Sequence, residues 1–408
     1  MKILWVKSGP LFPLNTGGRR RTHAMLRELA KEHEVTYLAS LPENQELHED
    51  EAGADYAQDK IWIRSVEPEF KSAQGLRALL TNLFFSTRPY VLDRYENPSL
   101  RSRLLELEAS SDFDLIVCDF LTPAVNFEFD AIQTPVVLFQ HNIEAQIWKR
   151  LAAEKKNPLV KLYFHSQFLR MAEAERLLSA SFAGVITVSP EDATRCRDDY
   201  ALSNVLGAVP TGVDTDFFSP PEPRTPETGL IGFLGSMDWM PNVECVQYFA
   251  EEIFPTILER FPKARFRIIG RNPTPAVQRL GKQFPNIEVT GTVEDVREHL
   301  DACHLLVVPL RSGGGTRIKI FEAMAEGVPV VSTTIGAEGL PVRDGDTILL
   351  ADEPDSFANA VIDLLESDEL GARLSGEARS LLARDHSWEA VSLTFIDLCQ
   401  PILTSRSS

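Results

Sequence analysis

Val308-Pro309-Leu310-Arg311-Ser312-Gly313-Gly314-Gly315-Thr316-Arg317-Ile318-Lys319-Ile320-Phe321-Glu322-Ala323-Met324-Ala325-Glu326-Gly327-Val328-Pro329-Val330-Val331-Ser332 reads as a strand end, a glycine loop, a helix start and a second strand. Gly313, Gly314 and Gly315 leave the backbone uncovered, so a ligand can approach closely there, with Thr316 closing the loop. The helix that follows aims its unpaired N–H groups and the positive end of its dipole into that space, where an anion such as a phosphate belongs. Arg317 and Lys319 add two cations where helix electrostatics favours acids, so their placement needs another reason. Glu322 falls three residues after Lys319, on the same helix face. A diphosphate with a hydroxyl-bearing neighbour would use all of these groups.

Working outward, the same strand–helix alternation fills the chain. Lys2–Lys7 is a strand, Thr16-Gly17-Gly18 opens a helix, and Val35–Ala39 is the next strand, a β-loop-α-β start without G-x-G-x-x-G. Gly17-Gly18 admits two readings: a backbone loop that a substrate approaches, or an ordinary turn, the heavier of the two when the pair is taken alone. Leu115–Cys118 and Val136–Phe139 are continuous apolar runs of the central parallel-strand type. The second ends on Gln140-His141-Asn142, and ligands of open α/β sheets bind at the carboxyl ends of strands. After a proline-rich polar stretch from Thr211 to Thr228, the pattern restarts at Leu230–Gly235 and runs through Phe266–Gly270, Ile287–Val289, Leu305–Val308 and Val328–Val331. The expectation is an α/β protein of two Rossmann-like, doubly wound parallel sheets, residues 1–211 and 212–385, with 386–408 crossing back as a terminal helix.

The chain has 408 residues, enough for two cores, and a net charge of −18 that divides as −6 over 1–215 and −12 over 216–408. That balance argues against nucleic acid as a partner. Five scattered cysteines without a C-x-x-C pair argue for a reducing compartment and against structural zinc. The apolar start Ile3–Val6 is too short for a signal peptide, so cytoplasm is the default expectation. One segment departs from the acidic trend: residues 144–182 carry a net +3, and within 147–182 basic residues interleave with Trp148, Leu151, Leu159, Leu162, Phe164, Phe168 and Leu169. This is either a surface that docks peripherally on an anionic membrane or a pair of helices packed on the sheet with a solvated basic face.

Two Rossmann-like halves, the early glycine pair, the strand-ending His141 and K-x-x-E-A-M-A-x-G-x-P-V-V from Lys319 together resemble the retaining glycosyltransferases of family 4, which have the GT-B fold. Gly212-Val213-Asp214, Met240-Pro241-Asn242, Gly291-Thr292-Val293 and Gly339-Leu340 are similar to further landmarks of that family. The resemblance implies a cleft between the halves and transfer of a sugar from a nucleoside diphosphate sugar to a hydroxyl of a glycan or lipid-linked acceptor. The setting it implies is cell-surface polysaccharide or glycolipid synthesis, with no cofactor beyond the co-substrate. By the same resemblance Lys319 neutralises the donor diphosphate, Arg317 is a second phosphate clamp, and Glu322 accepts from the ribose hydroxyls. Gly17 and Gly18 face the diphosphate, His141 lies near the donor sugar and acceptor, and Val293 contacts the base through its backbone.

Two departures stand out. The family's first motif glutamate, eight residues before Glu322, is Gly314 here, and no lysine follows Gly235-Ser236, so the charge for the diphosphate falls to Arg317 and Lys319. Asp112/Asp114, Asp214/Asp216 and Asp344/Asp346 have the D-x-D form of metal-binding transferases but sit at a strand entry, in the linker and in a turn. No metal is therefore expected. The rival readings are a nucleotide-sugar epimerase, a phosphorylase, and a non-catalytic protein that keeps a nucleotide-sugar site.

Overall fold

The computed structural model describes residues 1–14, 16–65, 73–155, 157–220, 224–312 and 317–404. The chain divides into two units, Met1–Pro210 with Val391–Ser408, and Thr211–Ala390.

In the first unit seven parallel strands lie in the order β3-β2-β1-β4-β5-β6-β7. They are β1 (Lys2–Lys7), β2 (Glu34–Pro42), β3 (Asp59–Ser65), β4 (Leu115–Asp119), β5 (Val136–Gln140), β6 (Gly184–Thr187) and β7 (Val205–Ala208). The central strands β4 and β5 are buried at every position because helices cover both sheet faces, which is why they read as unbroken apolar runs. Strand order reverses between β1 and β4, whose pairing runs from Ile3 opposite Leu115 to Val6 opposite Cys118. Lys7 and Asp119, each one residue further on, therefore end side by side at the switch point, where open α/β sheets bind ligands.

The Gly17–Glu32 helix after β1 is capped by Thr16, whose hydroxyl accepts from Arg19 N at 3.4 Å, and its buried face carries Ala24, Met25, Leu26 and Leu29. The last helix, Trp388–Thr404, brings Phe395 onto Trp5 at 5.6 Å and onto Phe139 at 5.4 Å between ring centroids. Each of these fully buried aromatics contributes roughly 1.5–3 kcal/mol of burial free energy. Further along the helix Leu398 covers Gly207 of β7, where a Cβ would come within 2.8 Å of its methyl.

The second unit repeats the plan with six parallel strands, β10-β9-β8-β11-β12-β13. These are β8 (Leu230–Leu234), β9 (Arg265–Ile269), β10 (Ile287–Gly291), β11 (Leu305–Val308), β12 (Val330–Ser332) and β13 (Leu349–Leu350). Here order reverses between β8 and β11. The helix that opens the decisive stretch runs Ile318–Ala325, with Arg317 as its cap in the left-handed conformation, φ 51°.

The basic segment is two helices, Glu144–Glu154 and Pro158–Ala180. The longer buries only the stripe Gln167, Met171, Glu175 and Ser179, and leaves Leu159, Leu162, Leu169 and Leu177 exposed. Among the described residues no helix is long and apolar enough to cross a membrane.

Candidate functional site

In the second unit the site forms at the C-terminal end of β8. The chain leaves that strand at Gly235 and β9 at Gly270, and the two turns pack backbone to backbone: a Cβ on Gly270 would meet Gly235 O at 1.7 Å. Over Gly235 lies Lys319. A Cβ at Gly235 would sit 2.9 Å from its Nζ, so the helix delivers a cation to the place where the sequence lacks a lysine after Gly235-Ser236. Lys319 Nζ donates to Asn242 Oδ1 at 2.8 Å and lies 4.4 Å from the centre of the Phe233 ring. Its hydrogen-bond acceptor is thus a neutral amide and not a carboxylate. Burial lowers its pKa from 10.5 to about 8, with the charge of Arg317 pushing the same way and Glu322 opposing.

Arg317 turns its guanidinium to the following loop, donating to Ile335 O at 3.0 Å and standing 3.8 Å from Glu338. Its charge remains within electrostatic reach of Lys319. Arg271 joins the same edge through Ser236 Oγ at 3.0 Å, a cation that sequence reasoning did not include. Glu322 lies on the helix with Lys319, and Val293 follows β10, partly packed on the core. Gly313, Gly314, Gly315 and Thr316 lie outside the described residues. A cavity of about 550 Å³ lined by Arg224, His304, Asp368 and Arg379 is at the other end of these strands, since Thr228, His304 and Pro329 in its wall precede β8, β11 and β12. It is separate from the Lys319 site.

In the first unit the switch point holds a charge network that motif reading missed. Asp119 Oδ2 receives Lys7 Nζ at 2.6 Å and the Thr22 hydroxyl at 2.7 Å. Asp119 Oδ1 faces His141 Nε2 at 2.8 Å, off the ideal hydrogen-bond line, and neither of those two atoms has another partner. Burial alone would raise the Asp119 pKa, but Lys7 and His141 outweigh it and hold the carboxyl well below the usual range. Burial lowers Lys7 below its ordinary value, with Asp119 opposing. His141 drops from 6.5 to about 4, by burial first, with Asp119 opposing and the charges of Lys7 and Arg21 assisting, so the imidazole is neutral at physiological pH.

Aromatic rings hold that imidazole in place. Phe120 stacks on it at 3.9 Å and 19° between planes, and Phe139 meets it edge-on at 4.5 Å. Phe120 has φ 71°, a left-handed conformation that costs a bulky residue about 1–3 kcal/mol. The ring of Phe120 also accounts for Gly18, where a Cβ would strike Phe120 Cζ at 2.6 Å. Gly17 is different: a Cβ there would meet nothing within 4 Å. Of the glycine pair, only Gly17 opens onto free space.

One aspartate of each D-x-D pair is engaged by a backbone N–H. Asp114 accepts from Lys2 N at 2.7 Å, Asp214 from Phe217 N at 2.9 Å, and Asp344 from Leu350 N at 2.8 Å. Among the described residues no group of three or more His, Cys, Asp or Glu is placed to hold a metal ion.

Comparison with known proteins agrees with this architecture. Residues 15–217 match the family described as Glycosyltransferase Family 4, and residues 228–367 match Glycosyl transferases group 1. The chain is 21% identical over 382 residues to an uncharacterized 44.6 kDa protein in the cps region of Klebsiella pneumoniae, covering 88% of this chain and 90% of that one. It is 26% identical over 275 residues to the phosphatidyl-myo-inositol mannosyltransferase of Mycolicibacterium smegmatis, covering 63% and 68%. Among solved structures, Anabaena HepE in complex with UDP superposes with a TM-score of 0.65 at 14% identity, over 98% of this chain and all of that one.

Proposed function

We infer, since this chain belongs to the family 4 glycosyltransferases and folds as GT-B, that it moves a sugar from a nucleoside diphosphate sugar to an acceptor hydroxyl with the anomeric configuration retained. The observation that carries this reading is the Lys319 ammonium: on a half-buried residue, held by a neutral amide, and over the bare backbone of Gly235. A cation so placed has its counter-charge still to come, and a departing diphosphate supplies it. As the glycosidic bond lengthens toward an oxocarbenium-like state, negative charge grows on the leaving phosphate, which Lys319 and the nearby Arg317 stabilise. No metal ion is needed for that balance. The leaving phosphate takes the acceptor proton, and His141, neutral and closed in by Phe120 and Phe139, orients a hydroxyl instead of acting as a strong base. Glu322 takes the ribose hydroxyls and Val293 the base. UDP in HepE and phosphatidyl-myo-inositol in the mycobacterial relative support a nucleotide donor and a lipid-borne acceptor.

The acceptor reading gains weight from the two basic helices. Their exposed Ile147, Leu159, Leu162 and Leu169 stand among Lys149, Lys155 and Lys161 on a chain of net charge −18, the pattern of a surface that lies on anionic lipid.

The test is to offer uridine, guanosine and adenosine diphosphate sugars with and without polyprenyl- and inositol-lipid acceptors. The expected result is nucleoside diphosphate released only with an acceptor, and a product of retained configuration by NMR. Interconversion of the free donor sugars would establish an epimerase instead. Tight donor binding without turnover across the panel would leave a binding protein.

A further inference from the structure

Asp119 is not consumed by its pairing with Lys7. Its Oδ2 atom is saturated by the Lys7 ammonium and the Thr22 hydroxyl, while Oδ1 is buried and, among the described residues, faces His141 Nε2 at 2.8 Å without another partner. The next residue, Phe120, leaves the strand in a left-handed turn that lays its ring against the same imidazole. Two consecutive residues thus address one side chain, the first at a ring nitrogen and the second at the ring face. Phe139 closes the edge and is itself backed by Phe395.

We propose that Asp119 is a positioning residue that fixes His141 as the tautomer protonated on Nε2, leaving Nδ1 as a lone-pair acceptor for a sugar hydroxyl. The inference rests on the reading of His141 as a group that faces substrate. An ionised carboxylate can only accept, so the nitrogen 2.8 Å away must carry the proton. The other tautomer would set a lone pair against a carboxylate where water cannot relieve it, a repulsion strengthened by the low local dielectric. A doubly protonated ring is disfavoured by burial first, against the pull of Asp119, with the charges of Lys7 and Arg21 adding to the burial effect. With one tautomer enforced and the ring unable to rotate, substrate meets a nitrogen of defined character on every encounter.

The test reads the tautomer directly in the full chain without substrate. Protein labelled with ¹⁵N and ¹³C at histidine is compared with His141→Gln to assign the resonance, and the ring nitrogen shifts are recorded at neutral pH. Wild type should show Nδ1 unprotonated and Nε2 protonated. A mixture, or a proton on Nδ1, overturns the proposal while leaving glycosyl transfer standing. The Lys7→Met, Asp119→Asn double variant removes both charges together, so no unpaired ion is left buried. In it His141 should become a tautomer mixture, and kcat should fall on the order of 100-fold with the donor KM little changed. A folded double variant that keeps the single tautomer or the wild-type kcat also overturns it. Absence of turnover with every donor sinks the transferase reading instead and leaves the tautomer result to be judged alone.

Discussion

Lys7 in the first unit and Lys319 in the second place their ammonium groups at the C-terminal end of the first strand of their own sheet, beside the point where strand order reverses. The first is closed off and bound to a carboxylate at 2.6 Å; the second, on a half-buried residue, is bound to an amide at 2.8 Å. Position in the fold is shared, so the partner separates the roles. A lysine whose charge is already matched holds the protein's own aspartate, and through it His141. On the proposed function, the lysine whose charge is unmatched is the one that meets the donor.

The contrast can be broken most directly at Lys7. Lys7→Met should cost about 3–5 kcal/mol in urea unfolding, because it strands the buried carboxylate of Asp119. A loss below about 1 kcal/mol would mean that the pair is not structural. Lys319 should respond in the opposite sense. Lys319→Met should lower turnover on the order of 100-fold, yet leave stability unchanged or higher, on the order of 1 kcal/mol, since it relieves an ammonium held below its ordinary pKa. Strong destabilisation there would make it a second structural lysine.

The pH profile sharpens the same point. The Lys319 pKa is lowered to about 8, so the ammonium is present below that pH and kcat/KM should fall as pH rises through it. Lys319→Arg, active or weakly active, should move that limb upward. The smallest effects belong to the glycine pair: Gly18→Ala should cost about 1–3 kcal/mol by driving into Phe120, whereas Gly17→Ala, at the first turn of a helix and in open space, should be neutral or stabilising by about 0.4–1 kcal/mol.

Much of the fold was readable because fully buried parallel strands leave unbroken apolar runs, as in Leu115–Cys118 and Val136–Phe139. The edge strands β7 and β13 were not, being short and only partly buried, with little apolar pattern to betray them. In the second unit Lys319 and Glu322 stand three residues apart, a spacing that one helix makes meaningful. The Lys7–Asp119 contact spans 112 residues and Thr22–Asp119 spans 97, distances over which sequence carries no pairing signal. One clue was present: Lys7 and Asp119 each close a run of four apolar residues in a central strand, a costly arrangement unless the two meet. Glu51 misleads in the other direction. It lies in an acidic stretch that reads as solvated surface, yet it is fully buried, accepting from Phe12 N at 2.6 Å and Tyr56 Oη at 2.5 Å, and so anchors the loop after β1.

The contact of Phe395 with Trp5 and Phe139 bears on the order in which the chain can mature. During synthesis the first seven strands leave the ribosome with part of their aromatic core uncovered, and the whole Thr211–Ala390 unit must be made before the helix that covers it emerges. The imidazole of His141 leans on Phe139, which leans on Phe395, so a nascent chain with both sheets complete still lacks the last support of that imidazole. Until that final helix docks, the newborn protein has every strand it needs and an unfinished site.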